Sequence, residues 1–60
     1  QRAIDILPKK QKLVIVLRDI ENRSYEEISA ITGLKSGTIK SNLARGRAII
    51  AALLKKEHLL

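Results

Sequence analysis

The region around Gly33 constrains the fold more than any other part of the chain, because helix-start signals lie close on either side of it. Ser24 is followed three residues later by Glu27, which is the spacing of a capping box. Gly33 suits the left-handed position that ends a helix. Ser36 or Gly37 then begins another helix. A short helix, a glycine turn and a second helix form the helix-turn-helix pattern.

Further helices are predicted on both sides of this pattern. The first covers residues 2–7 and ends before Pro8, because proline disfavours helix in the preceding residue. The second covers residues 9–20, with Pro8 well placed before its first turn. The last helix runs from about Gly37 into the mid-fifties.

The apolar residues predict which helix faces are buried. An apolar stripe at helical spacing marks the helix over residues 9–20: Leu13, Val16, Leu17 and Ile20. Val14 and Ile15 lie off this stripe and widen the buried face. In the short helix that follows Ser24, Ile28 and Ile31 are the predicted buried pair.

Length and composition limit the chain to one small domain. Its 60 residues are 45% hydrophobic, and Tyr25 is the single aromatic residue. We therefore expect an all-α fold: a three- to four-helix bundle with the helix-turn-helix motif and without the wing of winged-helix proteins. Because the chain begins at Gln1, we expect residues 1–60 to be one domain of a longer protein.

The residues that usually carry chemistry are scarce. The chain has no cysteine and one histidine, His58, so it offers neither a disulfide nor a predicted metal cluster. No nucleophile, base and orienting acid stand in a recognisable arrangement, and we expect no catalysis and no cofactor. The lack of cysteine fits a reducing cytoplasm. No apolar run approaches the roughly 20 residues of a membrane span, and we expect no membrane partner.

The charge balance points to an anionic partner. Twelve Lys and Arg against six Asp and Glu give a net charge of +6. A basic domain of this size is expected to bind nucleic acid first and an anionic surface second. After Gly33 the only acid is Glu57, whereas six bases follow: Lys35, Lys40, Arg45, Arg47, Lys55 and Lys56. We therefore expect the second half to make the anion contacts.

The last helix has two contrasting faces. With 3.6 residues per turn, one face is apolar or small: Ile39, Leu43, Gly46, Ile50 and Leu53. The opposite face is small, polar and cationic: Gly37, Ser41, Ala44, Arg45 and Ala48, with Thr38 and Lys40 at its margins. Small residues permit close approach to a major groove, while hydroxyls and bases meet phosphates and base edges.

The segment SYEEISAITGLKSGTIKSNLARGR, preceded by LPKKQKLVIVLRDIENR, strongly resembles region four of bacterial sigma factors, particularly the extracytoplasmic-function group. The matching positions cover nearly the whole chain: Leu7, Pro8, Leu17, Arg18, Asp19, residues 24–28, Ile31, Gly33, Gly37, Thr38, Lys40, Ser41, Leu43, Arg45 and Arg47. Each residue is common by itself, but the ordered set at unchanged spacing is specific.

The resemblance implies a role at promoters. In this family the domain binds the minus-35 promoter element through its last long helix and docks on the flap of the polymerase β subunit. Several members are held inactive by an anti-sigma factor. The implied partners are double-stranded promoter DNA, the RNA polymerase core and an anti-sigma factor. The residues implied to face the DNA are Lys35, Ser36, Gly37, Thr38, Lys40, Ser41 and Arg45. Tyr25 and Glu26 are implied to lie near the phosphate backbone.

The chain departs from the family pattern at four positions. Ser29 replaces a usual Ala where two helices cross, and its hydroxyl fits if it bonds back to its own helix. Thr32 replaces a usual Leu and thins the core. Lys35 replaces a usual Ser or Pro cap, so Ser36 takes over or the cap is weaker. Asn42 replaces a usual Arg and removes one cation from a promoter contact.

Some of these residues have simpler interpretations. Lys40, Arg45 and Arg47 are also compatible with a solvated helix face, although the helix-turn-helix context favours DNA contact. Tyr25 either packs its ring on the edge of the core or offers its hydroxyl to a phosphate.

Three other functions fit parts of the sequence. The output domain of a response regulator is similar through the second helix, but usually has a Val-Lys-x-His-like stretch where this chain has residues 39–43. A protein-interaction module would use exposed apolar surface to bind polymerase or an inhibitor. A membrane-surface segment would use residues 49–56, which lack a bulky aromatic anchor.

Overall fold

A computed structural model of the chain describes residues 2–58. These residues form four α-helices: α1 (Arg2–Asp5), α2 (Lys9–Ile15), α3 (Tyr25–Thr32) and α4 (Ser36–His58). A π-helical turn, Val16–Ile20, continues α2. Residues 2–58 contain no strand, and the all-α prediction is confirmed. The side chain of His58 lies outside the described part.

The first helix is shorter than predicted. It ends at Asp5, and the Leu7 N–H donates to the Ile4 carbonyl at 3.2 Å in the turn that follows. Pro8 has an extended backbone, with φ −54° and ψ 149°, and its carbonyl accepts from the Lys12 N–H at 2.9 Å. The second helix therefore begins directly after Pro8, as the sequence predicts.

The core lies where α2, the π-helical turn, α3 and α4 meet. Its buried side chains are aliphatic: Leu7, Val14, Ile15, Leu17, Ile28, Ile39 and Leu43. Tyr25, Leu34 and Ile50 pack against this cluster and are partly buried. The core is small, and a chain of this size has a thin stability margin.

The prediction for the buried face of α2 is wrong at two positions. Leu13 is 43% exposed and Ile20 is 53% exposed. The face that packs inward is Gln11, Val14 and Ile15, spaced at i, i+3 and i+4. The prediction that Val14 and Ile15 belong to the buried face is confirmed, whereas the apolar pattern could not reveal Gln11 because it is polar.

The π-helical turn changes the register after Val16. Its hydrogen bonds span one residue more than those of an α-helix, as between the Glu21 N–H and the Val16 carbonyl at 3.0 Å. Leu13 and Ile20 are both exposed, so the apolar spacing that groups them marks the outer surface here and not the core. Leu17 is still buried, so the prediction for that residue is confirmed.

In α3, one of the two predicted core residues is exposed. Ile28 is fully buried, whereas Ile31 is 54% exposed. The inward face of this helix is formed around Ile28 by Tyr25, Ser29 and Thr32, all half-buried. These residues share helical spacing with Ile28, but they are polar or amphipathic, so the apolar pattern pointed to Ile31 instead.

The ends of α3 agree with the sequence signals. The Glu27 N–H donates to Ser24 Oγ at 3.1 Å, and the Ser24 N–H donates to Glu27 Oε1 at 2.9 Å. This reciprocal pair is the predicted capping box. Gly33 has φ +76°, and its N–H donates to the Ser29 carbonyl at 2.8 Å. A residue with a Cβ would be strained at this angle, which explains glycine here.

Thr32 reinforces the turn into α4. Its hydroxyl donates to the Ile28 carbonyl at 2.7 Å and accepts from the Leu34 N–H at 3.1 Å. The usual Leu lacks a hydroxyl and would make neither hydrogen bond. The substitution therefore exchanges core volume for two hydrogen bonds that join α3 to the turn.

The start of α4 is made by Lys35. The Lys35 carbonyl accepts from the Ile39 N–H at 2.9 Å, which makes Lys35 the cap residue and Ser36 the first residue of the helix. Among the described residues, the Ser36 hydroxyl has no hydrogen-bond partner. Ser36 therefore does not take over the cap, and the helix begins without a side-chain cap.

Gly46 lies at the crossing of α2 and α4. A Cβ added to it would lie 3.1 Å from Cγ1 of Ile15 and 3.4 Å from Cβ of Gln11. These distances are at the close end of van der Waals contact, so the two helices approach each other closely only because residue 46 has no side chain. This crossing holds the inner face of α4 against α2.

We predict that Gly46→Leu destabilises the domain by about 1–3 kcal/mol, because the added side chain overpacks the crossing against Ile15. Urea unfolding followed by circular dichroism measures the change. Gly37→Leu is the matched control, since a Cβ at Gly37 meets nothing within 4 Å. The control should remain within about 0.5 kcal/mol of the unsubstituted chain. Equal stability of the two variants would contradict the close crossing.

Candidate nucleic-acid interface

The two faces of α4 are separated as the sequence predicts. On the inner face, Ile39, Leu43 and Gly46 are buried, and Ile50 and Leu53 are half-buried. The opposite face is fully exposed: Gly37, Ser41, Ala44, Arg45 and Ala48. No described side chain covers this polar and cationic face.

The exposed face begins at the positive end of a long helix. Lys35, Ser36 and Gly37 are all exposed at the start of α4. The first N–H groups of a helix have no partner within it and carry a partial positive charge. An added Cβ at Gly37 would meet nothing within 4 Å, so glycine is not needed there for internal packing. The start of α4 is therefore open to close approach by an anion.

Thr38 organises the next turn through its backbone. Its carbonyl accepts from Ser41 Oγ at 3.1 Å and from Asn42 Nδ2 at 2.8 Å. In this arrangement the Ser41 hydroxyl gives its proton inward and keeps its oxygen lone pairs free to accept. Thr38 itself is half-buried, at the margin of the exposed face as predicted.

Asn42 lies inside the fold. It is 9% exposed and its amide bonds to its own helix. The sequence comparison placed a cation of the family at this position, in contact with the promoter. In this chain the residue is instead part of the inner margin of α4, and the exposed face has one cation fewer.

Tyr25 lies between two cations. The Arg18 guanidinium carbon is 5.1 Å from the centroid of its ring, and Lys40 Nζ is 5.7 Å from it. Both distances are within the range of cation–π attraction. The ring also packs on the core. The structure thus brings two of the predicted site residues, Tyr25 and Lys40, to one place.

Arg18 belongs to this cluster although the sequence analysis did not include it among the site residues. Its Nη1 donates to the Arg23 carbonyl at 2.8 Å, which fixes the guanidinium beside the start of α3. The pairing with Tyr25 depends on the π-helical turn and on the loop that leads to α3. The only signal in the sequence is the adjacency of Arg18 and Asp19 at the end of the second helix.

Arg47 is engaged within the fold. Its Nε donates to Asp19 Oδ2 at 2.9 Å, and its Nη2 donates to Asp19 Oδ1. These hydrogen bonds lower the pKa of Asp19 against the opposing effect of partial burial, and they raise the pKa of Arg47. Both groups are therefore charged throughout the neutral range. Arg45, in contrast, is exposed and has no ion-pair partner among the described residues.

A second surface lies on the outer side of α2. Leu13 and Val16 line a shallow apolar depression together with the side chains of Lys9 and Lys12. Ile20 extends the exposed apolar surface on the π-helical turn. This surface carries apolar side chains with a basic margin, which distinguishes it from the small polar face of α4.

The described residues contain no group of three His, Cys, Asp or Glu side chains arranged to hold a metal ion. Within residues 2–58, no helix is long and apolar enough to cross a membrane.

A family comparison agrees with this arrangement of helices. The profile described as sigma-70, region 4, matches residues 1–50. No solved structure matches the chain.

Curated relatives point to the same family. The ECF RNA polymerase sigma factor SigE of Mycolicibacterium smegmatis is 46% identical over 56 residues, which cover 93% of this chain and 22% of that protein. The RNA polymerase sigma factor SigV of Bacillus subtilis is 40% identical over 57 residues, which cover 95% of this chain and 34% of that protein. The ECF RNA polymerase sigma-E factor of Escherichia coli is 41% identical over 49 residues, which cover 82% of this chain and 26% of that protein.

The chain spans 22% to 34% of the length of these three relatives. Its family profile covers most of the chain, and the matched residues include α3, the turn and α4 as far as residue 50. The chain therefore belongs to the sigma-70 region 4 family, in the extracytoplasmic-function group.

Proposed function

We propose that this domain recognises the minus-35 element of promoter DNA and thereby directs RNA polymerase to initiate transcription. The observation that carries the proposal is the exposed face of α4. That face begins at an exposed helix N-terminus, contains small residues and presents Arg45, which has no ion-pair partner among the described residues, with Lys40 at its margin. Membership of the sigma-70 region 4 family supports the same function.

Phosphate contacts set the register in this mechanism. The N–H groups at the start of α4 bind one phosphate, with Lys35 beside them. The Tyr25 hydroxyl binds the backbone at the start of α3, and the Lys40 ammonium lies 5.7 Å from the centroid of its ring, beside that contact. Such contacts give affinity that falls as salt rises, and they carry no sequence information directly.

Base contacts then give specificity. Gly37 and Ala44 have little or no side chain, so α4 can lie deep in the major groove. Lys35, Lys40, Ser41 and Arg45 supply most of the readout of base edges, with Ser36 and Thr38 beside them. The Ser41 oxygen is free to accept from a base amino group, and Arg45 can donate two hydrogen bonds to a guanine.

The outer surface of α2 favours an additional role in protein contact. Leu13 and Ile20, two turns apart, remain 43% and 53% exposed, and Leu13 lines an apolar depression together with Val16. We propose that the RNA polymerase core, through its β flap, or an anti-sigma factor covers this surface.

The chain as a whole acts within a larger protein in this proposal. Residues 1–60 act as one domain in it, and the relatives with sigma-factor names are about three to four times as long, as their covered shares indicate. Because promoter DNA and polymerase are the proposed partners, the cytoplasm is the proposed place of action. The match to sigma factors favours this assignment over the output domain of a response regulator.

Enrichment from a mixed pool of short DNA duplexes, at several salt concentrations, tests the function. We expect the bound fraction to share a short motif and the affinity for that motif to fall as salt rises. Salt-sensitive binding without an enriched motif would leave only a basic helical domain. Binding that persists in high salt would contradict a phosphate-driven mechanism.

We predict that Arg45→Ala weakens binding to the enriched duplex by about 1–3 kcal/mol at fixed salt, because a bidentate contact to a base is lost. Fluorescence anisotropy titration measures the change. Lys55→Ala removes the same charge from an exposed position near the end of α4 and should have a much smaller effect. Equal losses in the two variants would mean that Arg45 contributes only to general electrostatic attraction.

We predict that Gly37→Glu abolishes DNA binding and leaves the fold intact. The new side chain enters open space in the first turn of α4, where a carboxylate is compatible with the helix dipole but is repelled by phosphates. Anisotropy measures binding, and circular dichroism measures the helix content.

Two controls separate the effect of the new charge at position 37 from the effects of side-chain size and of charge elsewhere on α4. Gly37→Gln keeps the size of the side chain without its charge, and Ala52→Glu places the same charge on an exposed position farther along α4. We expect the second control to bind DNA almost as well as the unsubstituted chain. Retained binding by Gly37→Glu would show that the DNA-facing side of α4 is misassigned.

A further inference from the structure

Two adjacent residues on the π-helical turn reach different helices of the helix-turn-helix motif. Arg18 lies over the ring of Tyr25, the first residue of α3. Asp19 binds Arg47 of α4, which is 28 residues away in the sequence. The end of the second helix is therefore tied to both helices that form the proposed DNA-binding surface.

The contact between Asp19 and Arg47 fixes orientation as well as distance. Nε and Nη2 of the guanidinium donate to the two carboxylate oxygens, one hydrogen bond to each. A two-point contact between planar groups restricts rotation, which a single hydrogen bond does not. The side chains are 36% and 51% exposed, so the pair is partly solvated and adds little to the total stability. Its effect is mainly geometric.

The pair of Asp19 and Arg47 lies next to the crossing of α2 and α4. Arg47 follows Gly46 directly, and Gly46 is the residue at which α4 touches Ile15 of α2. The buried Ile39 and Leu43 hold the first half of α4, but the glycine at the crossing presents no side chain that interlocks with α2, and the next apolar residue of that face, Ile50, is only half-buried. Successive residues of a helix are spaced by about 100° around its axis, so a rotation of α4 by a fraction of that angle would move its outward side chains sideways relative to a DNA groove.

We infer that Asp19 and Arg47 are positioning residues that fix the rotation of α4 about its axis, and that Arg47 is thereby withheld from the DNA. The effect on DNA binding rests on the proposed function, since the rotation of α4 decides whether Lys40, Ser41 and Arg45 point together into a groove. The family assignment alone does not distinguish Arg45 from Arg47, because both match the pattern. The structure distinguishes them by their partners: Asp19 for Arg47, and none among the described residues for Arg45.

The first test needs no DNA. Residual dipolar couplings of the backbone amides in α2 and α4 report the relative orientation of the two helices. Asp19→Ala and Arg47→Ala should each change the couplings of α4 relative to those of α2. The exchanged double variant, Asp19→Arg with Arg47→Asp, should return them toward the values of the unsubstituted chain.

Asp5→Ala is the matched control for this measurement. This substitution removes a carboxylate that accepts one hydrogen bond, from Lys12 Nζ at 3.2 Å. That hydrogen bond joins residues of α1 and α2 and does not involve α4. Its couplings should equal those of the unsubstituted chain. Unchanged couplings in both single variants, or no recovery in the exchanged variant, would overturn the positioning role.

The second test measures specificity. The ratio of affinities for the enriched duplex and for a scrambled duplex, at one salt concentration, should fall by about fivefold or more in Asp19→Ala, the lower end of the loss of one base contact. The exchanged variant should recover part of the ratio. Circular dichroism at the assay temperature should show the helix content unchanged, which separates misorientation from unfolding.

The outcomes separate the inference from the proposed function. If the unsubstituted chain shows no preference among duplexes, the proposed function fails, and the couplings still decide whether Asp19 and Arg47 position α4. If the chain is specific and Asp19→Ala raises the ratio, then the released Arg47 is a DNA ligand, and the inference is overturned.

Discussion

The close crossing of α4 over α2 at Gly46 is the contact on which the rest of the structure depends. A Cβ at position 46 would lie 3.1 Å from Cγ1 of Ile15 and 3.4 Å from Cβ of Gln11, so a bulky side chain there would displace these neighbours. With only a small aliphatic core available, this crossing holds the inner face of α4 against the supporting helix. The same approach brings the π-helical turn close enough for Asp19 to bind Arg47.

Because the inner face of α4 packs on the core, the opposite face of the helix is exposed to solvent. Ile39 and Leu43 are almost completely buried, so residues on the other side of the helix have no place in the core. Small and polar residues there, and a helix start without a side-chain cap, add little to the stability of the fold. The exposed face of α4 adds little to the stability of the fold and carries a surplus of positive charge. These two properties are consistent with selection for an anionic partner. The apolar outer surface of α2 has a different chemistry from this polar and cationic face.

The sequence predicted the parts of the fold that local signals specify. Ser24 with Glu27 and the left-handed Gly33 depend on residues a few positions apart, and all three were assigned correctly. The faces of α4 were also correct, because its inner face is apolar or small. The buried faces of α2 and α3 were partly wrong, since polar residues such as Gln11 and Thr32 occupy inward positions beside the aliphatic ones. The partners of Arg18 and Arg47 lie in other helices, and no pattern in the sequence specifies such long-range contacts. For the candidate site, the exposure of the predicted residues could be deduced from helix periodicity, whereas the inward turn of Asn42 and the role of Asp19 required the tertiary structure.

The central claim is that the exposed face of α4 lies in a DNA groove, and intermolecular nuclear Overhauser effects test it most directly. The methyl groups of Ala44 and Thr38 lie on or beside that face, and those of Leu13 and Ile20 lie on the outer surface of α2. In a complex with the enriched duplex, we expect contacts from the Ala44 and Thr38 methyl groups to DNA protons, and none from Leu13 or Ile20. Contacts from Leu13 and Ile20, with none from Ala44, would contradict the account.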